Sequence, residues 1–449
     1  MGRKSHSQSL SIWTNGERVG VWTIPKHGPA ELRYDAQWQA SQFGRPLSLS
    51  LPFIGDSPHR GALVQSFFEN LLPDSDSIRR RLAAHFGTQT TDAFDLLKAI
   101  GRDCVGAVQL LGEDESPGNI ECIEGTVLSD AEVERLLVRA TTTAAPAVDV
   151  EEGELRISLA GAQEKIALLW HNERWTLPHG ATPTTHILKL PLGLVGARQA
   201  DFSTSVENEW LCMQLLDELG LPVPKTALLT FGKQKVLCVE RFDRALHESG
   251  TWWLRLPQED LCQALGYPPT AKYERDGGPG LADIARVLAG SEQAEHDLAT
   301  LLKSQVVFWM LAAIDGHAKN FSLRLLPQGR YHLTPLYDVV SLWPAVGRGN
   351  IQYDWHKAKL AMAVVSTDRH YLLKDVQRRH FNAMASRYFI RESAEDLIQD
   401  VLKRVPSAIE AVSARFPNGF PEKVASTIFS GLEQSAAKLE RMPSNLERP

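Results

Sequence analysis

Asp315, Asn320 and Asp338 are the residues whose types and spacing best suit chemistry. The first two stand five positions apart in Asp315-Gly316-His317-Ala318-Lys319-Asn320. A carboxylate free of other duties can orient an attacking hydroxyl and accept its proton. An amide oxygen and a second carboxylate, from Asn320 and Asp338, suit Mg²⁺, which takes hard oxygen ligands beside phosphate oxygens and water. That is the equipment of phosphoryl transfer. Asp-Gly followed by Asn is also ordinary turn chemistry, and a lone Asp338 reads equally as a strand-end turn. The weight rests on what surrounds them.

Phosphoryl transfer also needs a cation on the phosphates. Lys189, in His186-Ile187-Leu188-Lys189-Leu190, is the candidate, because a charge inside an apolar strand is costly without a partner. The alternative is an edge-strand lysine facing water. Glu207 and Glu209 follow on the next helix. Glu209 is the expected partner of Lys189, although most helix glutamates are simply solvated. Ser158-Leu159-Ala160-Gly161-Ala162-Gln163-Glu164-Lys165 lies between two expected strands. With one glycine it matches neither common phosphate-loop pattern. A small-residue turn with free amides can still cradle phosphate, and a plain hairpin turn fits as well. Cys238-Val239-Glu240-Arg241-Phe242-Asp243-Arg244 is an expected hinge whose backbone could meet a base, or else a salt-bridged surface turn.

The elements that must position these residues follow from periodicity. Residues 297–314 read as one amphipathic to fully apolar helix that breaks at Asp315-Gly316. Two short strands are expected at 321–326 and 330–334, joined by Pro327-Gln328-Gly329, before Tyr337-Asp338. Helix, Asp-x4-Asn loop, hairpin, Asp is the order in which protein kinases present their catalytic Asp, metal Asn and metal Asp. Upstream, strands are expected at 186–190, 225–231 and 235–242, with a helix at 206–219 stopped by Gly220. From residue 258 the pattern is mainly helical, interrupted at 273–280. Near the N-terminus, Asn15-Gly16 predicts a hairpin within residues 11–22, and a strand is expected at 45–51. Helices are expected at 62–72 and 76–86, and another from an Asp92 cap to Gly101, with a strand at 105–111. Residues 141–154 change to Thr, Ala and Pro and then to acid, which predicts a linker. The expected division is 1–140, a linker at 141–154, then 155–255 and a helical lobe at 256–449.

At 449 residues the chain is long enough for two or three domains. Its net charge of −6 argues against a nucleic-acid coat, though not against a local patch. Residues 356–391 supply such a patch. Lys357, Lys359, Arg369, Lys374, Arg378, Arg379, Arg387 and Arg391 face two acids, Asp368 and Asp375. It reads as a phosphate-contacting surface or as a solvated helix face. Five cysteines without a Cys-x-x-Cys predict reduced thiols. The N-terminus lacks an apolar signal core, and the longest apolar run is nine residues, so a cytoplasmic protein is expected.

Together these segments resemble the HipA family, bacterial serine/threonine kinases that form the toxin half of a HipA–HipB toxin–antitoxin pair. The resemblance is carried by residues 158–165, 183–189, 239–244, 256–260, 276–280, 315–321 and 337–338. Residues 45–52, 67–74 and 101–108 resemble that family's N-terminal subdomain. The resemblance implies an α+β, two-lobed kinase-like fold with a small N-terminal subdomain and a largely helical C-terminal lobe. It implies that Asp315 accepts the proton and that Asn320 and Asp338 hold Mg²⁺. ATP would be surrounded by Ala160, Gly161, Ala162, Gln163, Glu164, Lys165, Lys189, Glu240, Arg241, Phe242, His317, Ala318, Lys319, Asn320, Tyr337 and Asp338. Ser158 would be autophosphorylated and thereby self-inactivating, where the residues alone allow a turn cap. The implied protein substrate is an aminoacyl-tRNA synthetase, typically the glutamyl enzyme. The implied partners are a HipB-like helix-turn-helix antitoxin dimer and, with it, operator DNA, to which Lys374, Arg378 and Arg379 could contribute. An aminoglycoside-type phosphotransferase and a pseudokinase corepressor are the alternatives.

Overall fold

The computed structural model describes residues 7–141, 159–195, 200–347 and 352–444. Ser158 and nearly all of the expected linker lie outside the described residues.

Asn15 and Gly16 both take positive φ, 44° and 83°. The strands Gln8–Thr14 and Glu17–Ile24 therefore join through the predicted two-residue turn. They lie in a five-stranded antiparallel sheet with Glu31–Tyr34, His59–Arg60 and Gln109–Gly112. Leu10, Ile12, Trp22 and Leu32 share a core with residues of the helices Ala62–Glu69 and Ala93–Ile100, and Trp22 stacks on Phe68 at 3.8 Å.

Three local expectations change here. Residues 45–51 form no strand. Leucines at every second position imitate one, but the segment spends its polar groups on the C-terminal half. The Leu49 amide donates to Glu259 Oε1 at 2.9 Å, and the Ser48 and Ser50 hydroxyls donate to the Gln263 carbonyl at 3.1 and 2.7 Å. Residues 105–108 turn around Gly106, at φ 72°, before the strand begins at Gln109. Asp92 precedes its helix without making a side-chain cap bond.

The second sheet has six strands in the order Thr226–Phe231, Gln234–Glu240, His186–Lys189, Lys165–His171, Arg174–Pro178 and Gly125–Val127. The helix Asp130–Thr141 belongs to it, since Val133 and Leu137 cluster with Ile166, Leu168 and Val236. The first packing unit thus ends before Gly125 rather than at residue 140. An apolar stripe on one short helix does not say which sheet it will cover.

The helix Ser205–Glu218 is buried along most of its length and belongs to the large C-terminal core. That core gathers the helices Leu281–Leu288, Ala294–Leu311, Arg378–Tyr388, Glu395–Ser413 and Glu422–Arg441. Short strands also occur beyond residue 258. Gln258–Asp260, Ser322–Leu325 and Tyr331–Leu333 form one sheet, and Lys359–Val365 pairs with Arg369–Leu372. The result is the α+β, two-lobed kinase-like architecture that the resemblance implied. Among the described residues no helix is long and apolar enough to cross a membrane, and the five cysteines are free thiols.

Candidate active site

The helix Ala294–Leu311 is buried almost throughout from Asp297 onward, its last six residues all apolar, and Ala312 ends it in the left-handed region at φ 50°. This delivers Asp315 to a loop at the base of a cavity of about 680 Å³. The five-residue spacing has a local reason. The Asn320 side-chain amide reaches back to donate to the Asp315 carbonyl at 2.9 Å, closing the loop on itself. The Asp315 carboxylate is 60% exposed, so an incoming group can reach it. Tyr273 Oη donates to its Oδ1 at 2.7 Å, and His317 Nε2 lies 4.0 Å from Oδ2. Burial lowers the His317 imidazole below its ordinary range, which favours the neutral ring at neutral pH. Ala318 is buried in the core beneath the loop rather than lining the cavity.

Lys189 does not face water. Its ammonium donates to Glu209 Oε1 at 2.6 Å and to Asp338 Oδ1 at 2.9 Å. Glu207, two positions earlier, instead takes Lys235 at 2.6 Å. Burial opposes ionisation of Asp338, but Lys189 and Lys165 outweigh it and hold the carboxyl well below the usual carboxylate range. Lys165 responds in the other sense. Burial and the Lys189 cation lower it to about 8, and its ammonium rests on the Ala160 carbonyl at 2.6 Å.

The stretch from Leu159 to Glu164 is not a simple hairpin turn. Gly161 sits at φ 105°, and its carbonyl accepts from the Asp74 amide at 3.1 Å, across from the N-terminal unit. Ala160, Gly161, Ala162, Gln163 and Lys165 line the cavity. The Glu164 carboxylate turns aside to pair with Arg81 and does not line it.

Glu240 pairs with the exposed Lys225 at 3.4 Å, but Arg241, Asp243 and Arg244 form their ion pairs inside the protein rather than on its surface. Asp103 accepts from Arg244 and Arg255 at 2.9 Å each, from the Thr184 hydroxyl at 2.7 Å, and pairs with Arg241 at 3.3 Å. Arg241 also grips Asp243 through both carboxylate oxygens, at 2.9 and 2.8 Å. Its guanidinium is therefore held by protein. Phe242, by contrast, offers its ring to the cavity, 5.8 Å from that of Tyr337. Tyr337 Oη donates in turn to the Lys319 carbonyl at 2.8 Å. Asp103→Ala would leave three buried guanidiniums against one carboxylate. Breaking a buried ion-pair network in this way costs about 3–5 kcal/mol. Urea unfolding should show a loss of that size, and a loss below about 1 kcal/mol, the scale of an exposed pair, contradicts it.

Asp74 and Asn70 are site residues that local reading missed. The Lys319 ammonium is buried and bound to Asn70 Oδ1 at 2.9 Å, with Asp74 at 3.4 Å and Asp260 at 3.6 Å. Asp74 also takes Lys272 at 2.8 Å. One aspartate of the N-terminal unit thus braces the loop at Gly161, the Asp315 loop and the segment bearing Tyr273. The available signal was a pair of polar residues, Asn70 and Asp74, four apart in an otherwise apolar stretch.

The basic patch is corrected at its centre. Arg378 is buried, donates to Glu395 through Nε at 3.0 and 3.2 Å, and meets the Leu439 carbonyl, so it is no surface contact. Arg369 pairs with Glu274, and Arg391 with Asp396. Lys374 and Arg379 are exposed.

Fold and site together define a two-lobed, protein-kinase-like protein. A family model described as the HipA-like C-terminal domain matches residues 157–409, and one described as the HipA N-terminal domain matches residues 10–111. The chain is 36% identical to Y4mE of Sinorhizobium fredii over 336 residues, covering 74% of this chain and 77% of that protein. It is 29% identical over 346 residues to the serine/threonine-protein kinase toxin HipA of Shewanella oneidensis, covering 74% and 73%. A solved Shewanella oneidensis complex of HipA, HipB and operator DNA contains a chain that superposes with a TM-score of 0.77 at 25% identity, covering 96% of this chain and 97% of that one. The chain belongs to the HipA family.

Proposed function

We propose that this protein is an ATP- and Mg²⁺-dependent serine/threonine protein kinase and the toxin of a toxin–antitoxin pair. The observation that carries the reading is the meeting of Asp315, Asn320, Asp338 and the Lys189–Glu209 pair on one cavity. Asp315 is exposed and placed to accept the proton of an acceptor hydroxyl. Lys189, fixed from below by Glu209, offers its cation to phosphate oxygens. Asn320 Oδ1 and the Asp338 carboxylate are the oxygens that would hold Mg²⁺. Among the described residues no cluster of three acidic, His or Cys ligands exists, and two oxygens beside phosphate and water fit this ion. Bound there, Mg²⁺ would neutralise phosphate charge and align the group to be transferred. Phe242 and Tyr337 would flank the base.

The acceptor in this reading is an aminoacyl-tRNA synthetase, the glutamyl enzyme first, whose modification halts translation and promotes persistence. The partners are a HipB-like dimer and operator DNA, in keeping with the named Shewanella relative and the complex it forms. Autophosphorylation at Ser158, the residue before the cavity-lining Leu159 in the chain, would add roughly −1.5 to −2 charges and repel ATP. Labelled ATP tests the scheme. Label on protein serine in a bacterial extract supports it, and label on an aminoglycoside, or on nothing, overturns it. Without extract, label should map to Ser158.

Lys165 supplies a pH test. Bound phosphate favours its charged form, so a neutral Lys165 must take up a proton on binding. ATP affinity is expected to fall as pH rises through about 8. Calorimetry in buffers of different ionisation heat should record proton uptake above that pH, and Lys165→Met should abolish it. Uptake that persists in the variant contradicts the assignment.

A further inference from the structure

The loop of residues 273–280 has no part in the scheme above, yet it delivers a side chain to Asp315. Tyr273 Oη donates to Asp315 Oδ1 at 2.7 Å. The ring packs edge-on against His317 at 5.0 Å and lies under the cations of Lys272 and Arg275, at 5.4 and 5.3 Å. Burial and the neighbouring carboxylate push the phenol far above its ordinary range, so it stays a donor. The loop is moulded to hold this tyrosine. The Tyr273 carbonyl accepts from the amides of Asp276 and Gly278, each at 3.0 Å. Gly277 sits at φ 90°, and a side chain on Gly278 would strike the Ala271 carbonyl oxygen at 1.9 Å. The following Glu274 accepts from the Ala363 amide at 2.7 Å, which ties the loop to the strand Lys359–Val365.

Asp315 has little else to hold it. It is 60% exposed, and the neutral His317 is 4.0 Å from Oδ2. A carboxylate on such a loop rotates freely unless a donor fixes one oxygen. We propose that Tyr273 is a positioning residue for phosphoryl transfer, holding Oδ1 of Asp315 so that Oδ2 faces the acceptor hydroxyl. The proposal rests on Asp315 being the proton acceptor. It gives the Asp276-Gly277-Gly278-Pro279-Gly280 motif a purpose, which is to set the backbone at Tyr273.

The test uses the full chain carrying Tyr273→Phe, labelled ATP, and the protein that the wild type labels most strongly in a bacterial extract, itself included. Transfer is expected to slow about 10- to 100-fold, the effect of losing one hydrogen bond to a charged group, with ATP affinity and acceptor KM unchanged. In an Asp315→Ala background the same change should cost nothing more. An unchanged rate overturns the proposal, as does a full loss that persists without Asp315. A faster variant with lower acceptor KM also overturns it, because Tyr273 would then be occupying the acceptor's place. A wild type that labels no protein refutes the kinase reading itself.

Discussion

Asp315→Asn is expected to lower phosphoryl transfer by about 10²- to 10⁴-fold, the contribution of a positioned general base. The substitution keeps the shape of the side chain and an oxygen for Tyr273, but removes the group that accepts a proton. ATP affinity should stay near that of the wild type, because the Lys189–Glu209–Asp338 cluster is untouched. Single-turnover transfer and an independent ATP-binding measurement separate the two effects. A variant that transfers at the wild-type rate, or that loses ATP binding in proportion, contradicts the role given to Asp315.

Lys189→Ala should have two large effects. It removes the phosphate cation, and it leaves Glu209, 2% exposed, as a buried carboxylate without its partner. Uncompensated burial of that kind costs about 3–5 kcal/mol. The stability loss and the activity loss can be pulled apart. Adding Glu209→Gln makes the orphaned group neutral and should restore part of the stability while restoring no transfer. If transfer returns with stability, Lys189 serves only the fold.

How much of this was legible beforehand depends on the range of the interaction. The Asp315 loop could be read because its determinants are local, a buried helix and an amide five residues on that closes the turn, although the helix ends at Ala312 and not at the expected break at Asp315-Gly316. Lys189 and Glu209 were legible at one remove, since a charge in an apolar strand demands a partner and the next helix offers two. The pairings of Asp74 and Asp103 were not legible. Their partners lie at Lys319, Lys272, Arg241, Arg244 and Arg255, and no periodicity records a pairing across such separations. Residues 45–51 show the opposite error: Leu47 and Leu51 pack in the N-terminal core and Leu49 against the C-terminal one, an alternation without a sheet. Arg378 shows that counting charges along a helix cannot separate a surface cation from one buried on Glu395.

The central claim is that this chain transfers phosphate to protein serine or threonine through Asp315. The most direct measurement is a phosphoproteome taken after brief expression of the wild type and of Asp315→Gln at matched levels. The account predicts new phosphoserine with the wild type only, on the chain itself at Ser158 and on an aminoacyl-tRNA synthetase. Identical phosphoproteomes from the two proteins would contradict it.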